Sequence, residues 1–211
     1  MNTLDSNKVL RWAKGIVPLC LLAFLPLMTS CSEADEENEE WANWQERNET
    51  FFEQQYQTHA NATATRYILP SWSMPASRAL SDVPHTSCIL VDVIESGIGT
   101  TSPYFTDSVA INYSGRLMPS EHYTLGYEFD RSYLSEYDPD VDVPGRFAVS
   151  GVVEGFATAL QKMHRGDRWR VIVPYQLGYG TADQTSIPGY STLVFEIELL
   201  DFWTEEQGDR D

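Results

Sequence analysis

Residues 147–163, FAVSGVVEGFATALQKM, decide how the rest of the chain is read. Val153, Phe156, Ala157, Leu160 and Met163 fall at i, i+3, i+4, i+7 and i+10, which gathers apolar side chains on one face of a helix. His164-Arg165-Gly166-Asp167 then ends the pattern with a turn. On either side the period changes to two. Ile89, Val91 and Val93 alternate with Leu90, Asp92 and Ile94, and Val109, Ile111 and Tyr113 with Ala110, Asn112 and Ser114. Trp169, Val171 and Val173 alternate with Arg168, Arg170 and Ile172, and Leu193, Phe195, Ile197 and Leu199 with Val194, Glu196 and Glu198. Strands of an antiparallel sheet have this period. One short helix among such strands predicts an α+β domain, an antiparallel sheet of five to six strands wrapped around that helix. No internal repeat is visible.

Further toward the N-terminus the period is helical again. Trp41, Trp44, Asn48, Phe51, Phe52, Gln55 and Tyr56 recur at three- and four-residue spacing between residues 40 and 59. This aromatic stripe, interrupted by two polar residues, predicts a helical extension. It packs on the chain's own domain or serves as a dimerisation or client-binding helix, so the sequence leaves the oligomeric state open. Residues 61–84, with Pro70, Pro75, Pro84 and several serines, read as a loose connector with little regular structure.

The first thirty residues read as an export signal. Lys8, Arg11 and Lys14 form a basic start, and residues 16–28 are uncharged but interrupted by Pro18 and Pro26. Thirteen residues at about 1.5 Å each fall short of a hydrocarbon core of about 30 Å, so the pattern is that of a signal peptide rather than a membrane span. Met28-Thr29-Ser30-Cys31 resembles the lipobox of bacterial lipoproteins, which implies lipidation at Cys31 and a membrane anchor. The SEADEENEE run at 32–40 reads as a disordered acidic tether. It also resembles the acidic stretch that directs some lipoproteins to the outer surface. The expected location is therefore the cell envelope, with the membrane face undecided. The domain plan is signal peptide 1–30, tether, helix and linker 31–86, globular domain 87–203, and acidic tail 204–211.

Charge and cysteines restrict the chemistry. The chain carries 31 acidic and 14 basic residues, a net charge of −17. Without the first thirty residues 30 acidic and 11 basic remain, near −19. Such a surface has no footprint for a phosphate backbone, and nucleic acid is excluded as a partner. Of three cysteines, Cys20 lies in the signal and Cys31 would carry lipid, so Cys88 has no partner for an internal disulfide. His59, His85, His122 and His164 lack metal-ligand spacing and read as surface residues; no metal and no cofactor is expected.

The ordered segments resemble one family. Residues 107–115 (DSVAINYSG) are similar to the strand that opens the core of FKBP-type peptidyl-prolyl cis–trans isomerases, and Glu128-Phe129-Asp130-Arg131-Ser132 to the family's Phe-Asp-x-Ser signature. Residues 147–163 resemble its strand and helix, and Gly166-Asp167-Arg168-Trp169 the turn that follows. Residues 174–180 (PYQLGYG) are similar to its Tyr-Gly loop, and Ser186-Ile187-Pro188 with residues 191–200 (STLVFEIELL) to the closing loop and last strand. Six blocks in order cover residues 88–202.

The resemblance implies an enzyme that accelerates rotation of Xaa-Pro bonds in exported proteins. Its catalytic residues would be Tyr113, Asp130 and Tyr179, and its proline-binding residues Phe129, Phe147, Val152, Val153, Phe156, Ile187 and Phe195. Proline-containing polypeptides are the implied partners, with macrolide inhibitors of the family as candidate ligands. Phe156 stands where the family usually has tryptophan, and Gly189 where it has a second proline, which predicts a looser loop. The arginine that often pairs with the signature aspartate has no clear counterpart; Arg131 and Arg146 are the candidates. These departures keep a second reading open, a non-catalytic peptide-binding or chaperone module of the same fold.

Overall fold

In the computed structural model, residues 39–133 and 142–204 are described. The signal segment, Cys31, most of the acidic tether and the 205–211 tail lie outside them. In chain order the elements are helix α1 (Trp44–His59) and strands β1 (Arg66–Pro70), β2 (Cys88–Glu95), β3 (Asp107–Leu117), β4 (Glu128–Arg131) and β5 (Gly145–Ala148). Helix α2 (Glu154–Leu160) and strands β6 (Arg168–Val173) and β7 (Leu193–Thr204) follow. Neighbouring strands run β1-β2-β6-β7-β3-β4, and β5 shares the β4 edge of β3. Every pairing is antiparallel.

The sheet has seven strands rather than five or six, because β1 forms inside the connector expected to be loose. Arg66 to Pro70 pairs with Asp92 to Cys88 along the free edge of β2, where a proline closing the strand removes no ladder hydrogen bond from the sheet interior.

The inner face holds α2. Phe156, Ala157, Leu160 and Met163 of the apolar stripe are all buried, and Val153 is the extended residue that opens the helix. The helix lies close on the sheet because residue 155 is glycine. A Cβ there would stand 2.3 Å from Val173 Cγ1. Strand β7 slips by one residue opposite Ala110/Ile111, so the inward set runs Leu193, Phe195, Ile197, Leu199 and then Phe202.

The outer face is sealed by α1. Leu90, Ile172 and Val194, sent outward by the period of two, are covered by Phe52 and Tyr56 together with Val83 and Cys88. The aromatic stripe thus packs on its own domain. Its polar interruption at Asn48 is fully buried and satisfied: Nδ2 donates to Trp44 O at 2.7 Å, and Oδ1 accepts the Thr192 N–H at 2.7 Å. Trp44 Nε1 donates to Ser191 Oγ at 2.9 Å, which staples the start of α1 to the start of β7.

Two expectations fail on this face. His59 is buried, not on the surface: Nδ1 donates to Gln55 O at 2.7 Å, and Nε2 stands 3.5 Å from Asp92 Oδ2. It lies three residues beyond Tyr56 on the same helical face, so the stripe carries it inward. Glu40, expected at the end of a disordered tether, is helical and buried, with its carboxylate against His122 Nδ1 at 2.8 Å. No helix among the described residues is long and apolar enough to cross a membrane.

Candidate active site

Five segments bring their aromatic rings to one end of the inner face. Tyr113 comes from β3, Phe129 from β4, Phe147 from β5, Phe156 from α2 and Phe195 from β7. The rings form an unbroken edge-to-face series. Phe147–Tyr113 centroids are 5.6 Å apart, Tyr113–Phe156 6.0 Å, Phe156–Phe195 4.9 Å and Phe195–Phe129 5.8 Å, with interplanar angles between 81° and 89°. In this geometry positive ring edges meet negative faces, worth about 0.5–1.5 kcal/mol per pair beyond the area buried. Phe156, Phe195 and Ile187 are buried and form a floor; Phe129, Phe147, Val152, Val153 and Tyr113 are half-buried and form its rim. Tyr179 stands at the edge with 43% of its surface exposed.

A residue that the sequence reading did not single out makes this possible. Gly115 sits in register between Asp130 of β4 and Phe195 of β7. A Cβ on it would lie 2.6 Å from the Phe129 ring and 2.9 Å from the Phe195 ring, so the two rings can meet only across a glycine. Ser132, the last residue of the Phe-Asp-x-Ser block, has a part in the same geometry. Its Oγ accepts the Tyr113 N–H at 3.0 Å, and its own N–H donates to Tyr113 O at 3.0 Å, which ties β4 to the tyrosine.

The polar groups lie at the rim. Tyr113 donates its hydroxyl to Asp130 Oδ2 at 2.6 Å, and Asp130 Oδ1 accepts the Arg131 N–H at 2.9 Å. Burial, reinforced by the bond to Asp130, pushes the Tyr113 hydroxyl far above the usual tyrosine range. Burial and then the Asp130 charge also raise Tyr179. Both phenols therefore remain proton donors at any physiological pH. Of the two candidate arginines, Arg131 pairs with Glu128 Oε1 at 3.2 Å and Arg146 lies over the Trp203 ring at 5.4 Å.

The loop carrying Ile187 is tied rather than loose. Gln184 N–H donates to Ile187 O at 2.8 Å, Gly189 N–H to Asp183 Oδ1 at 2.8 Å and Tyr190 N–H to Gly180 O at 2.9 Å. A Cβ at residue 189 would stand 2.2 Å from Thr181 O. Glycine is what lets this loop close in its present form.

The fold and the site together define an α+β domain of the FKBP class: an antiparallel sheet over one short helix, with an aromatic floor at the helix start. Residues 99–200 match the family model of the FKBP-type peptidyl-prolyl cis-trans isomerases, and this part of the chain belongs to that family. The FKBP-type peptidyl-prolyl cis-trans isomerase FkpA of Escherichia coli K12 is 35% identical over 113 residues, 54% of this chain and 37% of that protein. The macrophage infectivity potentiator of Trypanosoma cruzi is 37% identical over 108 residues, 51% of this chain and 49% of its own. The crystal structure of FkpA from Escherichia coli superposes with a TM-score of 0.55 at 26% identity, covering 81% of this chain and 66% of that one. The chain thus spans half or less of these two curated relatives.

Proposed function

We propose that the protein is a peptidyl-prolyl cis–trans isomerase that seats proline on the aromatic floor and accelerates Xaa-Pro rotation in exported polypeptides. The edge-to-face series from five segments carries this reading, since it builds a dry apolar surface that no other part of the described sheet repeats. The reaction needs no nucleophile. Its barrier of about 18–20 kcal/mol is lost amide resonance, and the uncatalysed exchange takes tens of seconds or more. A planar amide is a strong dipole that water solvates well, whereas the twisted amide is less polar. An apolar site therefore disfavours the planar state relative to the twisted one, and only such a difference accelerates the step.

In this scheme Phe129, Phe147, Val152, Val153, Phe156, Ile187 and Phe195 hold the pyrrolidine ring and keep water away. The exposed Tyr179 hydroxyl donates to a substrate carbonyl. Asp130 fixes Tyr113, whose ring is the wall between Phe147 and Phe156. Phe156 supplies the floor without the indole N–H that tryptophan would bring. Export and a lipid anchor at Cys31 would set the enzyme among proteins folding in the cell envelope.

A protease-coupled assay on a short Ala-Xaa-Pro-Phe peptide tests the reading. Micromolar protein accelerates the slow phase, a macrolide of the family suppresses it, and Tyr179→Phe and Asp130→Ala each lower kcat/KM about tenfold or more, one transition-state hydrogen bond being worth roughly 1.4 kcal/mol. Circular dichroism stays unchanged. No acceleration by the wild type would leave a peptide-binding module; full activity in both variants would remove the assigned roles.

A further inference from the structure

Beside the aromatic floor lies a cavity of about 670 Å³, with Ile187 in its wall. Its size falls within the range of about 300–1,000 Å³ typical of ligand sites. Three separate segments build it: Glu40 and Trp41 ahead of α1, His122, Tyr123 and Tyr127 between β3 and β4, and Asp183 in the loop that carries Ile187. Tyr123 and Tyr127 meet edge to face at 5.2 Å, and Tyr123 is 41% exposed. Trp41 is braced edge-on by Trp44 at 4.8 Å.

Two carboxylates, Glu40 and Asp183, stand in this wall beside one imidazole, His122. Glu40 is 6% exposed and its carboxylate meets His122 Nδ1, while Asp183 Oδ1 is held by the Gly189 N–H. Among the described residues no lysine or arginine lines the cavity. The nearby Arg47 directs its guanidinium to the main-chain oxygens of Glu40 and Ala42, at 2.5 and 3.3 Å. Aromatic faces combined with carboxylates attract a cation, and a ring of this kind contributes about two- to fivefold in affinity per contact.

We infer that this cavity receives a lysine or arginine side chain from the same polypeptide whose proline occupies the aromatic floor. It acts as a specificity subsite, and it rests on the isomerase reading. Cationic residues within a few positions of the proline therefore favour a substrate, and the N-terminal extension, through Glu40 and Trp41, takes part in choosing it.

The test compares proline peptides that differ only in lysine, alanine or glutamate at successive positions around the proline. Turnover is followed by exchange spectroscopy and binding by fluorescence anisotropy. At the best position lysine exceeds alanine about five- to tenfold in both readouts, and glutamate falls below alanine. That ratio drops below twofold in Tyr123→Ala and in Glu40→Gln but persists in Tyr123→Phe, which keeps the ring. Because the whole chain is strongly acidic, Glu95→Gln removes one charge outside the cavity as a control and leaves the ratio intact. A lysine preference below twofold in the wild type, or one that survives Tyr123→Ala, overturns the subsite. If no peptide is turned over, the isomerase reading fails, while the anisotropy ratios still decide the cavity.

Discussion

The two faces of the sheet are both aromatic, yet they are finished differently. On the outer face the sixteen residues of α1 cover the strands, and the buried polar groups of Asn48 and Trp44 are satisfied, Asn48 by Thr192 and the Trp44 carbonyl, the Trp44 indole by Ser191. On the inner face α2 has only seven residues and stops short, so Phe129, Phe147 and Tyr113 keep part of their surface. A covered aromatic stabilises; a half-covered one can still be met by a ligand. The contrast teaches that composition alone cannot assign aromatics to core or to site, whereas the length of the covering helix can.

Three substitutions or treatments break or sharpen this contrast. The largest effect is expected on the covered side. Phe52→Ala empties the contact between α1 and Leu90, Ile172 and Val194, at a cost of about 3–5 kcal/mol. Chemical denaturation would read that loss, while kcat/KM of the protein still folded stays within about twofold. An equal loss of turnover would show that the two faces are not separable. Next comes Gly115→Ala on the open side. Its methyl group must push Phe129 or Phe195 away, a clash of about 1–3 kcal/mol, and turnover falls about tenfold or more with a smaller drop in stability. Unchanged turnover would mean that the two rings need not touch.

The smallest effect concerns the seal itself. Burial pushes the Cys88 thiol up to about 11, against about 8.5 for an unfolded chain. The folded state therefore binds this proton more tightly than the unfolded one. The associated stability is complete below about pH 8.5 and is lost as pH rises through 11. At pH 8.5 alkylation of Cys88 would follow the opening rate of α1, not reagent concentration. Rapid labelling of the native protein would show that the outer face is not closed.

Much of this was legible in advance. The stripe at Phe156, Leu160 and Met163 placed α2, and parity placed Tyr113 and Phe195 on the inward side. What was not legible depended on partners. Tyr67, Ile68 and Leu69 make too short a run to announce an edge strand among prolines and serines, and only β2 gives it a reason to form. Parity also cannot foresee the slip in β7 that turns Phe202 inward. Gly115 looked like the end of a strand. Its function is a distance between two rings that lie fourteen and eighty residues further along the chain, and no local pattern encodes that.

Strand β2 carries one last consequence. It lies between β1 and β6, and it falls wholly before residue 99, where the match to the family begins. A fragment trimmed to the matched segment would lose Ile89 and Val91 from beneath α2, and with them α1 and the Leu90 that it covers, opening a raw edge on β6. What similarity recognises is thus smaller than the sheet and its two covering helices, and an excised version of this domain has to begin before α1.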